Sequence, residues 1–202
     1  MTEITTEAAL RALYGEVNPR AKVKEINHLD HHCRAWLAAC PFILFATSDG
    51  TRLDVSPKGD APGFVQVEDD HHILIPDWPG NNRIDGLRNI VNDPQVALIA
   101  VIPNVRETLR INGRASIHDD RDLLARFETR GKLPITVTRI AVEEVFMHCP
   151  KAFMRSHLWN PETWPARTIL PTMGEILKDH GQLNDPPETA EEQERRSLAQ
   201  LY

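Results

Sequence analysis

The sequence predicts a mainly β, α+β fold, an antiparallel sheet or barrel with helices at its flanks. Three observations point there. Short apolar or alternating runs crowd the stretch from 41 to 147, hairpin residues sit between them, and helical periodicity is confined to the flanks and to two insertions. Strands this short and this closely linked favour antiparallel pairing over βαβ units.

Residues 5 to 14 suit a first helix ended by Gly15, and Asn18-Pro19 breaks the chain after it. From His28 to Ala39, Leu29, Cys33, Trp36 and Leu37 fall at helical spacing, so a second, amphipathic helix is predicted before the stop at Pro41. The apolar run Pro41–Thr47 is a strand, Ser48-Asp49-Gly50 carries hairpin chemistry, and Thr51–Val55 returns. Phe64, Val65 and Val67 begin another strand, which turns at Asp69-Asp70 into His72–Pro76. Asn81–Val91 reads as a helix with Ile84, Leu87, Ile90 and Val91 on one face, ended by Asn92-Asp93-Pro94.

Gln95–Ile102 is almost continuously apolar, as for a strand buried on both faces. Glu107–Ile117 alternates without a break, so Asn112-Gly113 is expected inside one strand, with the glycine where something packs closely. A surface helix over Asp120–Thr129 precedes β character from 134 to 147. After Cys149-Pro150 come a compact segment, 151–159, a proline-interrupted loop, a short helix over Met173–His180, and a charged tail from Glu188 that is helical only against a surface. The simplest organisation is a single domain over 1–202, with N-terminal helices in 1–40, a sheet core in 41–159 and a C-terminal extension in 160–202.

Bulk properties narrow the function. A net charge of -6 argues against nucleic acid or an anionic membrane as the main partner. Cys33, Cys40 and Cys149 have no CxxC spacing, and an odd count suits a reducing compartment. MTEITTEAAL has no signal-peptide core, and no run reaches the roughly 18 apolar residues of a membrane span, so a cytoplasmic protein is expected.

Four groups of residues compete for chemistry. His28, His31 and His32 have spacing that can put two ligands on one helix face, and His71-His72 form a second pair. No HExxH or paired Cys/His signature accompanies them, so solvent-exposed histidines and no metal are expected. Cys149 beside His148 and the lone Ser56 are weak nucleophile candidates, since Ser56 lies in neither GxSxG nor SxxK. Asp54, Asp60, Asp77 and Asp85 are scattered singly, as turn, cap and ion-pair residues are. The fourth group binds anions. Ser56, Lys58 and Gly59 leave one strand, while Asn81, Asn82 and Arg83 leave another and open a helix whose free amides and dipole favour negative charge. These groups make either a phosphate cradle, with Arg106 or Arg110 adding charge, or a plain strand-to-turn exit with solvated cations.

Four segments carry a resemblance: Asp54-Val-Ser-Pro-Lys-Gly-Asp60, Ile75-Pro-Asp-Trp-Pro-Gly-Asn-Asn-Arg83, Leu109-Arg-Ile-Asn-Gly-Arg114 and Cys149-Pro-Lys-Ala-Phe-Met-Arg-Ser-His-Leu-Trp159. In this order and spacing, from about 27 to 159, the chain resembles the pyridoxamine 5′-phosphate oxidase-like flavoproteins. The resemblance implies a six-stranded antiparallel split β-barrel, here with flanking helices and a helical C-terminal extension, and a homodimer with FMN at the subunit interface. It implies that Val55, Ser56 and Pro57 run along the isoalloxazine edge and that Lys58, Arg83 and Asn82 hold the phosphate. Arg155, Ser156 and Trp159 are then expected to approach the flavin from the other subunit, and Gly113 to make room for the flat ring. The arginines and tyrosine with which the true oxidases hold their substrate's phosphate have no match here, so the substrate does not transfer. The implied function is an FMN-dependent oxidoreductase passing hydride or electrons from a reduced donor such as NAD(P)H to a small acceptor. The alternative is a non-catalytic FMN carrier or sensor. No catalytic side chain is assigned; His148 and His157 are the titratable groups expected nearest the flavin.

Overall fold

Strands β1 (Phe42–Ser48), β2 (Leu53–Gly59), β3 (Gln66–Val67), β4 (His72–Asp77), β5 (Gln95–Val101), β6 (Thr108–His118) and β7 (Thr136–His148) form one sheet in a computed structural model that describes residues 2–202. They pair antiparallel in the order β2-β1-β5-β6-β7-β4-β3. The expected six-stranded barrel is therefore corrected on two counts: the sheet has seven strands, and its edges β2 and β3 do not pair to close it. The extra strand is the two-residue β3, a short hairpin partner of β4 that protects that edge.

Helices α1 (Glu7–Tyr14), α2 (Pro19–Val23) and α3 (His31–Ala39) precede the sheet. Asn18-Pro19 starts α2 rather than only ending α1, because Asn18 Oδ1 accepts the Arg20 amide and proline suits the first helical turn. Asp30 caps α3 through the Cys33 amide at 2.9 Å, and Leu29, Cys33 and Leu37 are buried on the sheet. They join Ile43, Phe45, Ile73, Ile75, Leu98, Leu109, Ile111 and Val145 in one core, where each fully buried aliphatic side chain contributes about 1.5–3 kcal/mol. Helices α4 (Asp85–Asn92), α5 (Arg121–Ala125), α6 (Lys151–Ser156), α7 (Met173–Gly181) and α8 (Ala190–Ala199) follow, the last two opening on capping boxes at Thr172 and Thr189. Among the described residues no helix is long and apolar enough to cross a membrane.

Three expectations change in ways that shape the site. The returning strand does not end at Val55: β2 runs on to Gly59, with Ser56 opposite Phe45 and Pro57 opposite Leu44. Proline is tolerated there because β2 is an edge strand. Strand β5 is not buried on both faces. Val96, Leu98 and Ala100 face the core, while Ala97, Ile99 and Val101 lie half-buried on the outer face beside Phe42, Leu44 and Val55. Gly113 lies at a β-bulge in β6, and a Cβ there would stand 2.1 Å from the Ala141 carbonyl oxygen. A neighbouring backbone, not a flat ring, requires this glycine.

Candidate functional site

Alternation along β2 turns Asp54, Ser56 and Lys58 to the core side and Val55 and Pro57 to the outer face. The inward residues meet the end of β4 across the opening of the sheet. Lys58 Nζ donates to Asp77 Oδ1 at 2.6 Å, joining two strands that are not ladder neighbours, and Ser56 Oγ donates to Asp54 at 3.2 Å. Between them and α4 lies a cavity of about 450 Å³. Phe45 and Thr47 floor it, and Trp78, Gly80 and residues 81–87 form the far wall.

That wall is not the expected helix start. Asn81 Oδ1 accepts the Arg83 amide at 3.0 Å, and Asn82 and Ile84 adopt φ of 58° and 48° before α4 begins at Asp85. Asparagine tolerates the left-handed region; a β-branched isoleucine there is strained, a feature that clusters at functional sites. Ile84 gives α4 no side-chain cap, so the amides of Asp85, Gly86 and Leu87 have no protein acceptor. Asn89 anchors the helix by donating to Thr47 Oγ1 at 3.0 Å.

Charge at the cavity is mixed. Arg83 Nε donates to Asp85 at 2.8 Å, and that bond, with Asp54 nearby, raises the Arg83 pKa further. Asp54, Asp77 and Asp85 thus stand among two cations, each cation already paired with a carboxylate. Behind this wall the Trp78 indole N–H is shut away with no partner, as is the hydroxyl of Thr136, opposite Asp77 in the ladder. Two cations, the Ser56 hydroxyl and the uncapped amides around one cavity make a donor set that suits an anionic, acceptor-rich ligand.

Of the residues expected to bind cofactor, Ser56, Pro57, Lys58, Asn82 and Arg83 line this cavity. Val55 lies on the outer face, 60% exposed. Arg155, Ser156 and Trp159 follow the other end of the 13-residue β7, whose first residue adjoins Ile135 of the cavity lining. There the Trp159 indole donates to the Val105 carbonyl at 2.8 Å and stacks on Phe153, so within one chain this segment does not reach the cavity. His148, the last residue of β7, and His157, in a left-handed turn after α6, lie at that same end. Asp77, read from the sequence as a turn, cap or ion-pair residue, is an ion-pair residue here, while Tyr202 carried no local signal. Tyr202 meets Trp78 edge-on at 4.9 Å, donates its hydroxyl to Asp60 and lies under the Arg130 guanidinium, contacts that only the fold creates.

Among the described residues no thiol is hydrogen-bonded to a histidine. Burial pushes Cys33 up to about 11 and also raises Cys40, while Cys149 is exposed. Thiol titration of the native protein at pH 8 is expected to find one fast group, lost in Cys149→Ser, and the remainder only on unfolding. Burial, then Arg110 and Lys24, hold the His148 imidazole below its ordinary pKa. The folded state thus disfavours its protonation, and its contribution to stability, present above the ordinary value of about 6.5, is lost as pH falls below it. His148→Gln is expected to lose less stability than the parent between pH 7 and pH 5, read from urea midpoints.

The sequence model of the family described as pyridoxamine 5′-phosphate oxidase matches residues 29–149. No curated protein matches the chain. Among solved structures, HupZ of Group A Streptococcus is similar at TM-score 0.48 and 19% identity, over 58% of this chain and 92% of that one. General Stress Protein 26 of Bacillus anthracis gives 0.45 and 13%, over 56% and 88%. A protein of Mesorhizobium loti named as FAD-binding gives 0.41 and 19%, over 57% and 89%.

Proposed function

The chain belongs to the pyridoxamine 5′-phosphate oxidase family, and from that premise we propose that it is an FMN-dependent oxidoreductase whose cavity between β2 and α4 holds the flavin's phosphate end. The observation that carries this reading is the convergence of Lys58, Ser56, Arg83 and the uncapped α4 amides on one cavity. Bound flavin supplies the hydride or electron chemistry. The chain supplies binding and orientation. Lys58 and Arg83, now paired with Asp77 and Asp85, would hold the phosphate, with the uncapped amides of Asp85, Gly86 and Leu87 and the Ser56 hydroxyl as further donors. No histidine or cysteine lines the cavity.

A homodimer is part of this reading. Leu53 and Val55 of β2, Phe42 and Leu44 of β1, and Ile99 and Val101 of β5 form one apolar outer face. A second copy against it brings Val55 and Pro57 to an interface, and its own Arg155, Ser156 and Trp159 become available to a flavin at the sheet edge. Light scattering on the eluting protein is expected to give twice the chain mass of 22.9 kDa, and a monomer at micromolar concentration overturns the dimer.

The cofactor is tested by absorption. The purified protein is expected to show, or to acquire on titration, the flavin bands near 370 and 450 nm (about one FMN per chain). A colourless preparation that takes up no added FMN removes the assignment. A second reading, an FMN carrier or sensor without turnover, is favoured by the three carboxylates crowding two cations. Anaerobic mixing with NADH or NADPH separates the two: bleaching of bound flavin supports the oxidoreductase, and firm binding without reduction by any donor supports the carrier.

A further inference from the structure

The fold joins histidines that are remote in sequence. The Leu29 amide donates to the Asp70 carbonyl at 2.7 Å, the Arg34 guanidinium to Asp70 Oδ1 at 2.5 Å, and the His71 ring meets the Asn27 carbonyl at 3.2 Å. The start of α3 is thereby docked on the β3–β4 turn, with the His28 and His71 rings 6.5 Å apart. Five of the nine histidines, His28, His31, His32, His71 and His72, gather at this junction. None of them lines the flavin cavity.

Within the junction three ligand atoms converge. Asp30, His31 and His32 each offer one, all within 4.8 Å of one another, and the two imidazole rings lie 3.8 Å apart. The Asp30 carboxylate is held in place by the Cys33 amide, which donates to its Oδ1 at 2.9 Å. His31 and His32 are exposed and make no hydrogen bond to the protein among the described residues. A second group nearby, Glu68, Asp69 and His72, is already occupied: Glu68 pairs with Arg139 at 2.6 Å and Arg126 at 3.7 Å, and His72 with Asp69 at 2.9 Å.

We propose that Asp30, His31 and His32 form a surface site for a divalent transition-metal ion of the zinc class. Two neutral imidazoles and one carboxylate are the donors that borderline ions such as Zn²⁺, Co²⁺ and Ni²⁺ prefer, whereas Ca²⁺ and Mg²⁺ take oxygen ligands in larger number. A tetrahedral ion takes bonds of about 2.0–2.1 Å, and two exposed imidazoles are free to adjust around a carboxylate that is held still. Water completes the coordination. The ion fixes the entry to α3, whose Cys33 and Leu37 are part of the core, so it binds the folded chain and stabilises it by mass action.

The test is zinc titration of the full-length, untagged, chelator-stripped protein, read by calorimetry and by thermal unfolding. One saturable Zn²⁺ per chain is expected, with a melting temperature that rises with zinc. His31→Ala and His32→Ala are each expected to weaken binding by at least the roughly tenfold that loss of an outer-shell partner costs. Asp30→Asn keeps the helix cap and removes the charge, so it too is expected to weaken binding without lowering the metal-free melting temperature. The double variant His31→Ala/His32→Ala is expected to show no zinc-dependent stabilisation. Absence of saturable uptake overturns the site, as does uptake that survives the double variant or that is lost only in His72→Ala. None of these readouts involves flavin.

Discussion

Lys58→Ala is expected to weaken FMN binding by about 1.5–3 kcal/mol, the range for a charge-assisted hydrogen bond, or roughly 10- to 150-fold in Kd. The phosphate loses a cation that stands beside the Asp77 carboxylate, whose side chain is only 21% exposed. Arg83→Ala is expected to fall at the low end of that range, because its side chain is 74% exposed and solvent screens it. Fluorescence titration with FMN and with riboflavin separates phosphate recognition from ring binding. Both variants lose affinity for FMN and keep it for riboflavin if the phosphate lies here. Equal losses for the two flavins, or none for either, move the phosphate elsewhere.

Gly113→Ala is expected to be the most destabilising single methyl in the sheet, at about 3 kcal/mol. The added Cβ would sit 2.1 Å from the Ala141 oxygen and 3.1 Å from the Ile140 side chain, so the long β6–β7 ladder has to part at its bulge. The relevant comparison is Gly80→Ala, where nothing lies within 4 Å and the backbone is unstrained for alanine. That change is expected to stay within about 0.5 kcal/mol, as surface substitutions do. Urea denaturation measures both, and similar midpoints for the two variants would contradict the close approach.

How much of this was legible follows from which forces are local. The alternation through 109–117, the Ser48-Asp49-Gly50 hairpin and the stop at Pro94 were readable because strand pleat, turn geometry and proline sterics act within a few residues. The length of β2 was not, because Pro57 looks like a terminator unless the strand is known to lie at an edge, and edge position is a property of the whole sheet. The loop at 81–84 imitated a helix start through its apolar spacing, while its left-handed residues Asn82 and Ile84 are fixed by tertiary context. Lys58 and Arg83 line one cavity. Their carboxylate partners were not foreseen, since Asp77 lies 19 residues from Lys58 and only sheet curvature makes them neighbours. The apolar run of β5 was overread as burial on both faces because sequence records hydrophobicity and not what covers it.

The proline in β2 has a bearing on assembly. A free strand edge invites another chain to extend the ladder, and the hairpin carrying Leu53 and Val55 is sticky enough to be recruited in this way. At Pro57 the rim has no amide to offer, so a newcomer aligned on that edge loses a hydrogen bond midway and gains only a short, interrupted ladder. Edge-to-edge growth of the ladder is thereby interrupted at Pro57, and the apolar outer face of the sheet lies away from that edge.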